Sequence, residues 1–138
     1  MVADIAKKQL AFCTRIGTFM IERLDRIPLL FWKTLSGDEP VRDWLNSLPK
    51  EDQRTIGRDI AKVQYGWPIG MPVCRPLGDG LWEVRSSLPS KREARVLFGF
   101  YNDILIAVAG FIKKTQATPK AELKIARERF RSLKNEQR

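Results

Sequence analysis

Two arginines and a pair of lysines stand where this chain could grip a phosphate. Arg85 lies in Leu81-Trp82-Glu83-Val84-Arg85-Ser86-Ser87, and Arg95 in Ala94-Arg95-Val96-Leu97-Phe98-Gly99-Phe100-Tyr101. Both tracts alternate with period 2, the pattern of a strand that rests one face on a core. Strand residues two apart share a face, so Trp82 and Val84 fall on one side and Glu83, Arg85 and Ser87 on the other. By the same rule Ala94, Val96, Phe98 and Phe100 point inward and Arg95 outward. Lys113-Lys114 follow the apolar run Ile104 to Ile112 and put one lysine on each face at the end of a rigid strand. If these strands pair antiparallel, two arginines and one lysine converge on one concave surface. Guanidinium forks bind phosphate bidentately, and lysine adds a mobile point charge. The alternation equally allows a plainer outcome, in which Glu83 simply neutralises an arginine on an exposed sheet face.

What else could do chemistry is limited by composition. There is no histidine among the 138 residues. That removes His-ligated zinc, Ser-His-Asp and Cys-His triads, and the imidazole acid-base pair that ribonucleases often use. Cys13 and Cys74 lie far apart, without CxxC spacing or the cysteine density of secreted scaffolds, and read as buried or indifferent thiols. The charge is the unusual figure: 25 Lys and Arg against 16 Asp and Glu give +9. Such an excess favours a polyanion, whether nucleic acid, anionic lipid or an acidic protein. Its distribution is uneven. Residues 77–112 are neutral, whereas residues 113–138 hold nine basic groups against three acidic ones, two-thirds of the total excess.

The elements that must position these groups can be read from the periodicity. Leu29 to Leu35 reads as a strand closed by Ser36-Gly37-Asp38. Pro40 opens a short helix with Val41, Trp44, Leu45 and Leu48 on its core side, and Pro49 opens a second whose buried face is Ile56, Ile60 and Val63. Glu51 and Asp52 lie beside the positive end of that second helix, and Gly66 and Pro68 stop it. Trp67 to Pro76 reads as a Pro/Gly-rich connection to the two alternating tracts. Asn102-Asp103 supplies a tight hairpin turn into Ile104 to Ile112, the expected central strand. Thr118 as N-cap and Pro119 then begin a last helix with Leu123, Ala126, Phe130 and Leu133 inward. The order is (α)βααβββα: an α+β fold with a mainly antiparallel sheet of four to five strands.

A chain of this length has room for one core, here assigned to residues 27–138. Residues 1–26 are predicted to form an amphipathic helix that precedes it, and Met20 could itself be the start. Arg15 interrupts the apolar residues of that segment, so no membrane span or signal peptide is expected and the cytoplasm is the expected location. The basic last helix lacks the Trp/Phe/Leu-rich face of membrane-surface helices, so no membrane role is expected.

The ordered set Gly80-Leu81-Trp82-Glu83-Val84-Arg85, Ala94-Arg95-Val96-Leu97-Phe98 and Gly110-Phe111-Ile112-Lys113-Lys114-Thr115-Gln116-Ala117-Thr118-Pro119 resembles the phage-derived HigB-like branch of the RelE/ParE toxin superfamily. The Pro40-Val41-Arg42-Asp43-Trp44-Leu45 and Leu48-Pro49 segments and the Glu122 to Arg129 helix match the same layout. The resemblance spans about residues 27–135. It implies a RelE-like fold with two helices packed on the sheet and a C-terminal helix. It further implies a toxin of a type II toxin-antitoxin system, a metal-independent endoribonuclease that cuts mRNA on the ribosome and needs no cofactor. Its implied partners are the ribosome, mRNA and a helix-turn-helix, HigA-like antitoxin encoded nearby, through which operator DNA would be bound. Carried over by position, Arg95 and Arg85 match the family's strand arginines and Lys113 and Lys114 its basic strand end; metal-free RNA cleavage would then use Arg95 and Arg85 to stabilise the phosphorane charge and Lys113, Lys114 or Glu83 as base. Lys120, Lys124, Arg127, Arg131 and Gln116 would contact RNA or the ribosome. Related toxins often place a Tyr or His near the scissile phosphate at the C-terminal end, and here no Tyr follows Tyr101. Two other outcomes remain within the resemblance: a ParE-like protein that poisons gyrase, and a non-catalytic RNA-binding relative.

Overall fold

Period-2 tracts become strands and period-3.6 tracts become helices almost where the residue pattern places them. The computed structural model describes residues 26–67, 74–114 and 119–136. In chain order these form β1 (Leu29–Phe31), α1 (Pro40–Asn46), α2 (Lys50–Gly66), β2 (Cys74–Gly78), β3 (Leu81–Ser87), β4 (Glu93–Tyr101), β5 (Ile104–Ile112) and α3 (Lys120–Glu136). The expected N-terminal helix, Cys13 and the proposed Thr118 cap lie outside the described residues.

The five strands make one sheet in the order β1-β5-β4-β3-β2, antiparallel except where β1 runs parallel to β5. The α+β architecture is therefore as expected, with three differences. β5 is not central; that place falls to β4, with β5 beside it. β1 ends at Phe31 rather than Leu35, because the chain turns away through Thr34, whose N–H donates to the Asp38 carbonyl at 2.8 Å. β2 arises inside what read as a connection. Pro76 hides it from periodicity, yet proline is tolerated here because β2 is an edge strand, where one side of the backbone needs no partner.

Both faces of the sheet are covered. α1 and α2 lay Val41, Ile56, Ile60 and Val63 against Val84, Val96, Phe98, Leu105 and Ala107. α3 lays Ala126, Phe130 and Leu133 against Leu81, Leu97, Ile104, Ile106 and Phe111 on the opposite face. Phe100, expected inward, is 36% exposed, its ring 5.5 Å from that of Trp67 and tilted 34° to it. Cys74 is a buried free thiol, pushed up to about 11 by that burial.

A register shift between Leu97 and Phe98 leaves Val108 bulged out of the β4–β5 ladder. Arg129 of α3 fills the gap, donating from Nη1 to the Val108 carbonyl at 2.8 Å while its guanidinium stacks 4.7 Å from the Trp32 ring centre. Burial pushes this guanidinium below its ordinary value, against the opposing pull of Glu122. The helices also press closely on glycines. A Cβ at Gly110 would stand 2.5 Å from the Trp44 ring of α1, and one at Gly99 would strike the Phe130 ring of α3. Gly110→Ala is expected to lower stability by about 1–3 kcal/mol through overpacking, read from the urea midpoint. An unchanged midpoint would show that α1 does not seat Trp44 on β5 in this way.

Candidate functional site

In the β3–β4 register Arg85 stands directly opposite Arg95, and Glu83 opposite Leu97. Like charges placed directly across a pair of strands repel, so a neighbouring carboxylate is needed. Glu83, on the diagonal, supplies it: its Oε1 lies 3.6 Å from Arg95 Nε. The side chains are 4% exposed for Arg95 and 2% for Glu83. Arg95 Nη1 also donates to the Ala94 carbonyl at 2.9 Å. Arg95 does sit on the opposite face from Ala94, Val96 and Phe98, but that face is not open to solvent. It is the face shared with Leu97 and covered by α3, so the expectation of an outward, solvent-facing Arg95 is corrected. Glu83, expected on the same polar face, is inside as well. The plainer outcome, neutralisation of an arginine by Glu83, is the one found, within the protein rather than on its surface. Burial pushes the Arg95 guanidinium below its ordinary value; Glu83 and Glu93 oppose that shift, while Arg85 and Arg75 add to it.

Arg85 is half-buried and reaches a depression of about 490 Å³ where α2 meets the far ends of β3 and β4. Ser87, Glu93, Thr55, Arg58, Asp59 and Lys62 line the rest. Three cations thus face two carboxylates, one of which, Asp59, is engaged by Lys62 at 3.4 Å. Arg58 and Lys62 were not among the residues expected here. Their four-residue spacing on the polar side of α2 is the signal that could have found them. Lys113 continues the β4–β5 pairing, its N–H donating to the Glu93 carbonyl at 2.6 Å. Two residues beyond Phe111, which pairs with Arg95, Lys113 falls on the Arg95 side and is half-exposed. Lys114 is exposed on the other side. Among the described residues neither lysine side chain forms an ion pair. The structure therefore joins Arg95 to Glu83 and sets Arg85 at a basic rim, with the two lysines at the strand end.

None of the distal cations lines this depression. Lys120, Lys124 and Arg131 are exposed on α3, and Arg127 is partly covered. Gln116 lies outside the described residues.

The β3–β4 connection is held to α2 by a carboxylate that dipole arguments alone had assigned to the helix start. Asp52 is 1% exposed; its carboxylate accepts from the Ser90 hydroxyl at 2.8 Å, the Ser90 N–H at 3.3 Å and Arg92 Nη2 at 3.3 Å. Burial by itself would raise its pKa, but the Ser90 and Arg92 contacts outweigh it and hold the carboxyl below 3.8. A carboxylate lowered in the fold stabilises it above its free value and loses that contribution as pH falls through the lowered one. Asp52→Asn is therefore expected to melt below the parent near neutral pH, with the gap closing below about pH 4. Parallel thermal melts across that range decide it, and a gap that stays constant would refute the clasp.

A five-stranded, mostly antiparallel sheet with two helices on one face and a third on the other matches the RelE-like fold. The family model described as Phage derived protein Gp49-like (DUF891) matches residues 43–131, more than half of the chain. The chain belongs to that family, a RelE/Gp49-type toxin family. None of the curated proteins compared with the chain is a match. Among the described residues no helix is long and apolar enough to cross a membrane.

Proposed function

We propose that the protein is a HigB-like toxin of a type II toxin-antitoxin system, an endoribonuclease that cuts mRNA on the ribosome. The observation that carries this reading is Arg85 at the rim of a basic depression, backed by the buried Glu83–Arg95 pair, in a member of a RelE/Gp49-type toxin family. RNA cleavage by internal attack forms a bond from the 2′-oxygen to phosphorus and breaks the bond to the 5′-oxygen. The 2′-hydroxyl must lose a proton, the leaving oxygen must gain one, and the crowded phosphorane must be stabilised.

The depth of each residue divides these roles. Arg85 reaches the surface and contacts the phosphate, with Arg58 and Lys62 drawing the strand toward it. Arg95 is too deep to be the first contact; paired with Glu83 it fixes the β3–β4 surface that aims Arg85. One of Lys113 and Lys114, the better exposed of the base candidates, takes the proton from the 2′-hydroxyl as the neutral amine, water gives the leaving 5′-oxygen its proton, and Glu83 is held back by Arg95. The ribosome supplies near-attack geometry by holding the message, so a shallow depression suffices. A helix-turn-helix antitoxin of HigA type, encoded beside the toxin, neutralises it, and operator DNA is bound through that complex. The cytoplasm is the place of action.

Arg85→Ala is the variant of choice, since truncating Arg95 would leave Glu83 as an uncompensated buried charge and unsettle the fold. Expressed without an antitoxin, the parent should arrest growth and leave new transcript ends on translated messages. Arg85→Ala should lower cutting about 10²–10³-fold, the usual loss when one charge-stabilising donor is removed, with unchanged thermal stability. Primer extension on an induced, translated message reads the result. Undiminished cutting by the variant, or a DNA-damage response with intact transcripts, would overturn the reading, the latter in favour of a gyrase poison.

A further inference from the structure

α3 carries Lys120, Lys124, Arg127, Arg131 and Lys134 at intervals of four, three, four and three residues. At 3.6 residues per turn this spacing keeps all five on one narrow stripe, about 21 Å long at 1.5 Å per residue. Glu122 lies on the far side of the helix, and Glu128 borders the stripe, four residues from Lys124 and three from Arg131. A further negative charge comes from a different element. The β2–β3 hairpin runs through Gly78, Asp79 and Gly80 with φ of 89°, 57° and 80°, three consecutive left-handed residues. This turn presses Gly80 against α3, where a Cβ would stand 3.1 Å from the Phe130 ring and 3.8 Å from Lys134 Nζ. It also delivers Asp79 Oδ2 to 3.0 Å from Arg127 Nε. Asp79, Arg127, Phe130, Arg131 and Lys134 together line a pocket of about 240 Å³.

The Asp79–Arg127 contact is short but poorly aimed. Arg127 Nε is buried and makes no hydrogen bond, so a donor at the floor of a basic pocket is left unsatisfied. The carboxylate that meets it is 71% exposed, on a left-handed turn residue with φ of 57°. A bare carboxylate held loosely over three cations occupies the position that a phosphate oxygen would take. We propose that the α3 stripe is the track for the phosphate backbone of single-stranded RNA, and that Asp79 is an intramolecular stand-in for one phosphate, displaced from Arg127 when RNA binds.

The chemistry of the stripe favours RNA over an acidic polypeptide. A partner helix or strand needs apolar anchor pockets beside its charge. Here Ala126, Phe130 and Leu133 are spent in the core, and the Phe130 ring is capped by Lys134 Nζ at 4.4 Å. Exposed Ile125 points away from the stripe by the helical spacing. What remains is a line of charge, the form that tracks a nucleic-acid backbone.

This inference rests on RNA being the substrate, and its test reads binding without cleavage, so it stands or falls separately from the Arg85 experiment. The probe is a fluorescein-labelled, 2′-O-methylated single strand, which cannot be cut by 2′-attack, titrated with the full chain at several salt concentrations. Asp79→Asn, which a left-handed turn accepts, should tighten binding about two- to fivefold by removing the competing charge. The Arg127→Ala/Arg131→Ala variant should bind more weakly. Its slope of log affinity against log salt should be shallower by about 1.4, the loss of two single-strand phosphate contacts. In that background Asp79→Asn should have no effect. Unchanged affinity for Asp79→Asn, or an unchanged slope for the double variant, would overturn the proposal. Polyglutamate binding that is lost in the double variant while RNA binding persists would assign the stripe to an acidic protein instead.

Discussion

A charge in a strand covered on both faces must be paired where it stands. β4 is such a strand: α1 and α2 close one side and α3 the other, so Arg95 has no route to water by turning over. Removing a guanidinium from water is costly, and the cost is offset only when a counter-charge and hydrogen bonds are built in. Glu83 and the Ala94 carbonyl provide them. That diagonal contact is made within the β3–β4 register that sets Arg85 opposite Arg95. Apolar residues would fill the same space at no such cost, so an ion pair here points to a use beyond packing.

The net charge of +9 is accordingly not one property but several. One part is buried and paired, and sets geometry. A second, Arg85 with Arg58 and Lys62, forms the rim of a depression where a phosphate can be met. A third runs along α3 and offers a line of charge to a polymer. Two acidic residues hold these parts in order by unlike means. Asp52, inside, ties the β3–β4 connection to α2 through Ser90 and Arg92, whereas Asp79, outside, sits among the α3 cations.

Much of this frame was legible in the residues. Proline at the first turn of α1, the stripe Ile56, Ile60, Val63 on α2, the Asn102-Asp103 turn and the inward face of α3 all follow from local spacing. Asn102 and Asp103 adopt the positive φ that such a turn requires, at 51° and 62°. Alternation also placed Arg95 on the face opposite Ala94, Val96 and Phe98. What it could not say is whether a second layer covers that face, because period reports which side a residue takes and nothing about what packs there. Hence Arg95 and Glu83 read as exposed. Pro76 concealed β2, since edge pairing is a property of the neighbouring strand. Asp52 and Asp79 escaped for a similar reason: their partners, Ser90 with Arg92 and Arg127, are distant in sequence and are brought near only by the finished fold.

The central claim is that the Glu83–Arg95 pair is kept to aim a phosphate-binding arginine rather than to hold the protein together. A double-mutant cycle tests it most directly, with urea midpoints and transcript cutting measured on Glu83→Leu, Arg95→Met and the fully apolar Glu83→Leu/Arg95→Met. The account predicts that Arg95→Met costs about 3–5 kcal/mol by stranding a buried charge, that the apolar pair recovers most of that stability, and that it cuts no message although it is folded. A folded apolar variant that still cuts at the parental rate would contradict it.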